Sequence, residues 1–174
     1  MTAYAGQDRR EDAINGTIQC IQYDELNSAF SMQCDIIWTA SDNDLANDDY
    51  ITLEANELFD GHDHHIDLDG ILNWHGAFEI DEGANSLDDA PEIRNVHMLN
   101  GETSSNGGFL IQEEQANFIV DSCSSTGIIQ GGTGGGGGIR CSGAVRIKTC
   151  HSSGTINGQN AGGIAGGSFG LNSG

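Results

Sequence analysis

The stretch "IVDSCSSTGIIQGG", beginning at Ile119, returns 27 residues later as "RIKTCHSSGTINGQ", beginning at Arg146. One further step of 27 brings Ile93, Arg94, Asn95 and Val96 onto the same columns. The first column is apolar three times (Ile93, Val120, Ile147). The third is small and polar (Asn95, Ser122, Thr149), and the fourth is apolar or a thiol (Val96, Cys123, Cys150). Ser125 falls on Ser152, Gly127 on Gly154, Ile129 on Ile156 and Gly131 on Gly158. A chain that repeats at this interval coils and lays each turn on the last, so like side chains stack. Apolar columns then fill the interior, and the polar column marks a bend.

Nothing in the repeat reads as helix. It lacks an i, i+3, i+4 apolar pattern, and it is rich in Gly, Ser and β-branched residues. Glycine pairs open a second series of short strands, "GGF" at Gly107 and "GGI" at Gly137 and Gly162, at intervals of 30 and 25. Loops of variable length therefore lie between strands of fixed place. The expectation is an all-β chain, a right-handed single-stranded parallel β-helix of about five or six rungs. At about 4.8 Å per rung it makes a rod on the order of 25–30 Å long. Residues 1–34 read as an N-terminal cap or docking segment, part strand and part helix, because an uncapped rung leaves unpaired backbone groups. Residues 35–174 read as the β-helix, with irregular acidic rungs over 35–90 and Gly-rich repeats over 91–174. The tail "AGGIAGGSFGLNSG" opens another rung, so the repeats are expected to continue beyond 174, or a partner to cover the open end.

Charge narrows the partners. Twenty-six Asp plus Glu against 6 Lys plus Arg give a formal charge of −20, and 23 of the acids lie at or before Glu102. Nucleic acid and anionic membranes are bound through clustered cations, so neither is an expected partner. "MTAYAGQDRREDAING" has no apolar leader, and no run approaches the ~18 apolar residues of a membrane span. The chain reads as made in a cytosol or carried into a larger particle. The five Cys lack CxxC pairing, which points to free, mostly buried thiols.

"NFIVDSCSSTGIIQGG" with the following "GGGI", and "VRIKTCHSSGTINGQNAGGIAGG", resemble the GLUG-type repeat over roughly residues 91–170. "DYITLEANELFDGHDHHIDLDG" resembles the opening rungs of right-handed β-helix proteins, a weaker match over about 35–90. The combination is most similar to repeat proteins of large double-stranded DNA viruses. The resemblance implies a virion or surface structural part, or an attachment protein. It is fairly specific for fold and poorly specific for function.

Several motifs carry a chemical reading beside a plainly structural one. "GGTGGGGG" contains G-x-G-x-x-G at Gly132, Gly134 and Gly137, but the β-type run "IRCSGAVRIK" follows and no GK[ST] is present. A phosphate cradle needs a helix N-terminus there, so a loop between rungs is the better account. "FDGHDHHIDLDG" gathers Asp60, His62, Asp63, His64, His65, Asp67 and Asp69, donors suited to Ca²⁺ or a transition metal. Strand alternation divides them: with Ile66 and Leu68 inward, His65, Asp67 and Asp69 face out. The EF-hand pattern also fails. The favoured reading is a turn with solvated side chains.

Polysaccharide lyases and hydrolases share the fold and need clustered carboxylates. Asp67 with Asp69, and Glu79 with Asp81, form such pairs, and stacking would make them an acidic ladder. Like charges about 4.8 Å apart repel by ~0.9 kcal/mol even in water, which favours a wet face. Arg140, Arg146 and Lys148 show no pairing with acids in the sequence. Trp38, Trp74 and Phe78 read as core or cap packing before sugar stacking. Cys123 and Cys150 read as a buried thiol ladder, not a disulfide. Cys150 and His151 point to opposite faces, against a nucleophile–base pair.

The resulting expectation is a non-enzymatic structural or attachment component of a virion, capsid-associated or surface. A bacterial-type surface adhesin binding glycans is the alternative, and a polysaccharide lyase or glycoside hydrolase the second. No catalytic, cofactor-binding or metal-binding residue is assigned, and no cofactor is expected. Expected partners are other structural proteins or host-surface glycans, with homo-oligomers or end-to-end stacking through the open C-terminal rung. The expected location is the virion, or else the cell surface or extracellular space.

Overall fold

The computed structural model describes residues 6–40, 43–81, 86–104, 108–111, 117–131, 137–139, 144–159 and 161–165. One short helix, α1 (Arg10–Ile14), precedes the strands β1 (Ile21–Asp24), β2 (Ala29–Met32), β3 (Ile36–Ile37) and β4 (Ile51–Leu53). Then follow β5 (Leu58–Asp60), β6 (His65–Asp67), β7 (Phe78–Ile80), β8 (Glu92–Arg94) and β9 (His97–Leu99). The repeats contribute β10 (Phe118–Asp121), β11 (Ser124–Ser125), β12 (Ile128–Gln130) and β13 (Gly137–Ile139). The last are β14 (Val145–Lys148), β15 (His151–Ser152), β16 (Thr155–Asn157) and β17 (Gly162–Ala165). Strands this short do not stand alone, so each depends on the rung beside it.

The strands stack in parallel into a β-helix of about four turns, fewer than the five or six rungs expected. One sheet runs β1-β2-β5-β8-β10-β14, and a second runs β15-β11-β9-β6-β3. The remaining strands form three separate pairs, β4–β7, β12–β16 and β13–β17, with isolated bridges such as Phe78–Ile111 and Trp74–Thr103. The sequence columns are realised directly. Val120 lies between Ile93 and Ile147, Ser125 lies opposite Ser152, and Ile129 lies opposite Ile156. Gly137 pairs with Gly162, beside a register shift that absorbs the unequal interval. The polar column turns the corner between the first two sheets. Asn95, Ser122 and Thr149 all hold the left-handed conformation, at φ 54°, 53° and 50°.

Inside, aromatic and aliphatic side chains pack into one core cluster. Phe30, Phe59, Phe78, Phe109, Phe118, Trp38 and Trp74 are all fully buried. Each large apolar side chain so buried contributes about 1.5–3 kcal/mol. Trp38 and Trp74 meet edge to face at 5.2 Å, and their indole N–H groups donate to the carbonyls of Ala46 and Phe109. They are core residues, as Phe78 is, and offer no platform to a sugar. At Gly154 the rungs approach so closely that a Cβ would sit 2.0 Å from the Gly127 carbonyl oxygen, which is why the column is glycine at both levels.

The N-terminal segment is tied to the coil by charge. Arg10 forks onto the Glu57 carboxylate at 2.6 Å through both terminal nitrogens and covers the Phe30 ring. Arg9 bonds Asp12 and the buried Asp49. β1 pairs antiparallel with β2, and β2 pairs in parallel with β5, so the first pass of the coil lies inside the segment read as a cap. This hairpin also corrects the reading of the thiols. Cys20 and Cys34 form a disulfide across its open end, with Cα atoms 5.1 Å apart. The pairing follows from the antiparallel register Ile21 to Met32, which no cysteine spacing reveals. Cys123 and Cys150 are free, while Cys141 lies outside the described residues.

Two stability measurements check this account. In denaturant unfolding, Ile93→Ala should cost about 3 kcal/mol, as for other large-to-small core changes. Ile156→Ala, on a residue 48% exposed, should cost under about 1 kcal/mol. Equal costs would contradict the stacked interior. Replacing both Cys20 and Cys34 by Ser opens a link between residues 14 apart and should cost about 3 kcal/mol against the oxidised wild type, and reduced wild type should match the variant.

Candidate functional site

The outer face of the second sheet carries the most ordered array of reactive side chains. Its inward row is Ile36, Ile66, Met98 and Ser125, all buried. Alternation sends the residues before them outward. His65 pairs with His97, His97 with Ser124, and Ser124 with His151. Asp35 stands level with His65, because Ile36 is opposite Ile66. The row thus reads Asp35, His65, His97, Ser124, His151, one side chain per rung. Its members are scattered over more than a hundred residues of chain, and only the coiling assembles them.

Hydrogen bonds order this row. Asp35 Oδ1 accepts the His65 backbone N–H at 2.9 Å and lies 3.2 Å from His64 Nδ1 and 3.4 Å from His65 Nδ1. The His65 backbone N–H, with the two rings beside it, holds the Asp35 carboxyl below the usual carboxylate range. The His65 and His97 rings have centroids 5.6 Å apart. His97 Nδ1 lies 2.7 Å from Ser124 Oγ, and its Nε2 lies 3.5 Å from Asp63 Oδ1.

Of the polar cluster singled out in the sequence, Asp63, His64 and His65 belong to this region, joined by Asp35 and His97 from the neighbouring rungs. The repeat alignment already set Ser124 over His151, but it did not extend back to His97. Asp60 has a different role. It is buried, and its carboxylate receives Arg94 at 2.7 and 2.8 Å, Asn95 Nδ2 at 3.0 Å and the His62 backbone N–H at 2.9 Å. Asp67 is occupied by Asn100 Nδ2 and the Asp69 backbone N–H, both at 2.8 Å.

The expected acidic ladder does not form. Asp67 is on β6, in the second sheet, whereas Glu79 is on β7, which pairs with β4 and bridges Ile111 through Phe78. Glu79 stands opposite Thr52 there, so the two acidic pairs never stack. The view that the late cations lack acidic partners also needs correction, since Lys148 Nζ lies 3.4 Å from Asp121 on the preceding rung. Arg140 and Gly132–Gly136 lie outside the described residues, and Gly137 belongs to strand β13.

Cys123 and Cys150 do stack as thiols. The Cys150 thiol next to it and burial push Cys123 up, while the hydrogen bond from Cys123 brings Cys150 down to about 7. His151 stands exposed on the outer face and Cys150 is half-buried, so the two are not a nucleophile–base pair. A polar cleft of about 660 Å³ lies at the N-terminal segment, lined by Arg9, Asp12, Asp44 and Asp49 among others. Arg9 is ion-paired with all three acids, which makes the cleft part of the fold's charge network.

Asp60 yields a pH test. Burial pushes its carboxyl up, but the bonds from Asn95, the His62 N–H and Arg94 outweigh this and leave it below the usual range. A carboxyl depressed in the folded state adds stability above its unfolded value of about 4, and that increment is lost as pH falls through the folded value. Asp60→Asn should therefore cost about 2 kcal/mol at pH 7. The gap from wild type in urea unfolding should narrow by about pH 2, and an unchanged gap there would refute the assignment. Comparison with known proteins finds no matching family model, no matching curated protein and no matching solved structure, so the GLUG-type resemblance rests on the quoted residues alone.

Proposed function

We propose that this chain is a non-enzymatic structural or attachment module, which works by presenting rows of side chains on the outer faces of a parallel β-helix. The observation that carries the reading is the outer row Asp35–His65–His97–Ser124–His151, set one strand apart on a single sheet. A row with a spacing of about 4.8 Å suits a flat, periodic partner better than a small substrate, which needs a concave site. The acidic exterior disfavours polyanionic partners and leaves neutral glycans or other proteins. The narrower reading, a virion component, follows from the repeat resemblance.

Quantitative mass spectrometry of purified particles from producing cells tests that narrower reading. The chain should appear in fixed ratio to the shell proteins, and recovery only outside the particles would overturn it. Substituting His65, His97 and His151 together by Gln, which adds no charge to the row, should lower incorporation severalfold while leaving the unfolding free energy within about 1 kcal/mol of wild type. Unchanged incorporation would remove the row from the docking surface. Release of unsaturated sugars or new reducing ends from acidic polysaccharides would overturn the non-enzymatic reading.

A further inference from the structure

The His65–His97 step of the outer row has the elements of a metal site that no single rung contains. Tetrahedral zinc holds imidazole nitrogen and carboxylate oxygen at about 2.0–2.1 Å, which puts neighbouring ligand atoms about 3.3 Å apart. His97 Nε2 and Asp63 Oδ1 are 3.5 Å apart. Two imidazoles on one such ion have ring centres about 5 Å apart by the same geometry, and His65 and His97 stand at 5.6 Å.

The supporting groups are also placed as zinc sites need them. A ligating histidine normally has its other ring nitrogen engaged by a carboxylate, hydroxyl or backbone group, which fixes the ring and its tautomer. Asp35 lies against His65 Nδ1, and Ser124 Oγ against His97 Nδ1, so in both rings Nε2 is the nitrogen left for a ligand. His64 also reaches Asp35, with Nδ1 3.2 Å from the carboxylate, but stands level with Val96 and not with His97, so it is not on the row.

We infer that His65 and His97, with Asp63, form a zinc-binding site across two adjacent rungs, its fourth position open to water or to a ligand from a partner. In the present rotamers no three ligating groups among the described residues converge on one point. The site closes when His65 turns Nε2 toward the His97–Asp63 pair. The His65 side chain is 44% exposed and that of Asp35 65% exposed, so the ring turns with the carboxylate following its Nδ1, a rearrangement open to exposed side chains on the picosecond to nanosecond scale. The inference is independent of what the module docks to.

Calorimetric titration of the whole chain with zinc chloride, in a non-chelating buffer at neutral pH, tests it. One ion should bind per chain. His65→Ala and His97→Ala should each weaken binding at least tenfold, and Asp35→Asn by about tenfold, the usual effect of losing a carboxylate behind a ligating histidine. All three variants should still unfold in a single cooperative transition without zinc, which separates lost binding from a lost fold. His151→Ala and Cys150→Ser should leave the affinity unchanged. In wild type, zinc should shift the imidazole resonances of His65 and His97 and leave those of His151 in place. Absence of binding up to about 1 mM zinc, loss of binding only in Cys150→Ser, or shifts confined to other histidines would each overturn the proposal.

Discussion

In-register parallel pairing between rungs is the constraint on which everything else in this protein depends. Each short strand meets its equivalents above and below through the same backbone bonds, so one strand spacing separates a residue from its counterpart 27 positions on. Any side chain must therefore coexist with the residues directly above and below it. Inside, this requires apolar columns such as Ile93–Val120–Ile147. Where the rungs approach most closely in the repeats it requires glycine on glycine, at Gly127 and Gly154. At the corner it requires residues that accept the left-handed conformation, and Asn95, Ser122 and Thr149 supply it with polar side chains.

The same geometry governs the charges. Of the 6 Lys and Arg, Arg9, Arg10, Arg94 and Lys148 form ion pairs with carboxylates. Arg94 and Lys148 reach acids on the preceding rung, and Arg9 and Arg10 fasten the N-terminal segment to the coil. With the basic groups so used, the surplus of acids sets the character of the exterior. The Cys20–Cys34 disulfide closes β1–β2, the one antiparallel pair among the described residues, where rung stacking gives way to a different kind of pairing.

How much was legible follows from which residues repeat. The 27-residue columns over 93–158 were readable because each column keeps its chemical type, and the structure matches Val120, Ser125 and Ile129 to their counterparts as aligned. The burial of Trp38 and Trp74 was readable from size and scarcity. The Cys20–Cys34 bond was not, because antiparallel register in a hairpin leaves no mark on cysteine spacing. The acidic ladder failed for a related reason. Strand alternation says which residues face out, but not which sheet a strand joins, and β6 and β7 join different ones.

The candidate site divides along the same line. Sequence alone established the class of fold, the apolar columns, the acidic exterior and the outward direction of His65, because these depend on local periodicity and composition. The 27-residue repeat sets Ser124 over His151, and only the tertiary structure decided that Asp35, His65 and His97 extend that row. The interval from His65 to His97 is 32 residues and that from His97 to Ser124 is 27, and the difference is taken up in loops. Backbone pairing sets register only at the strands, so the chain's own numbering cannot show which side chains meet.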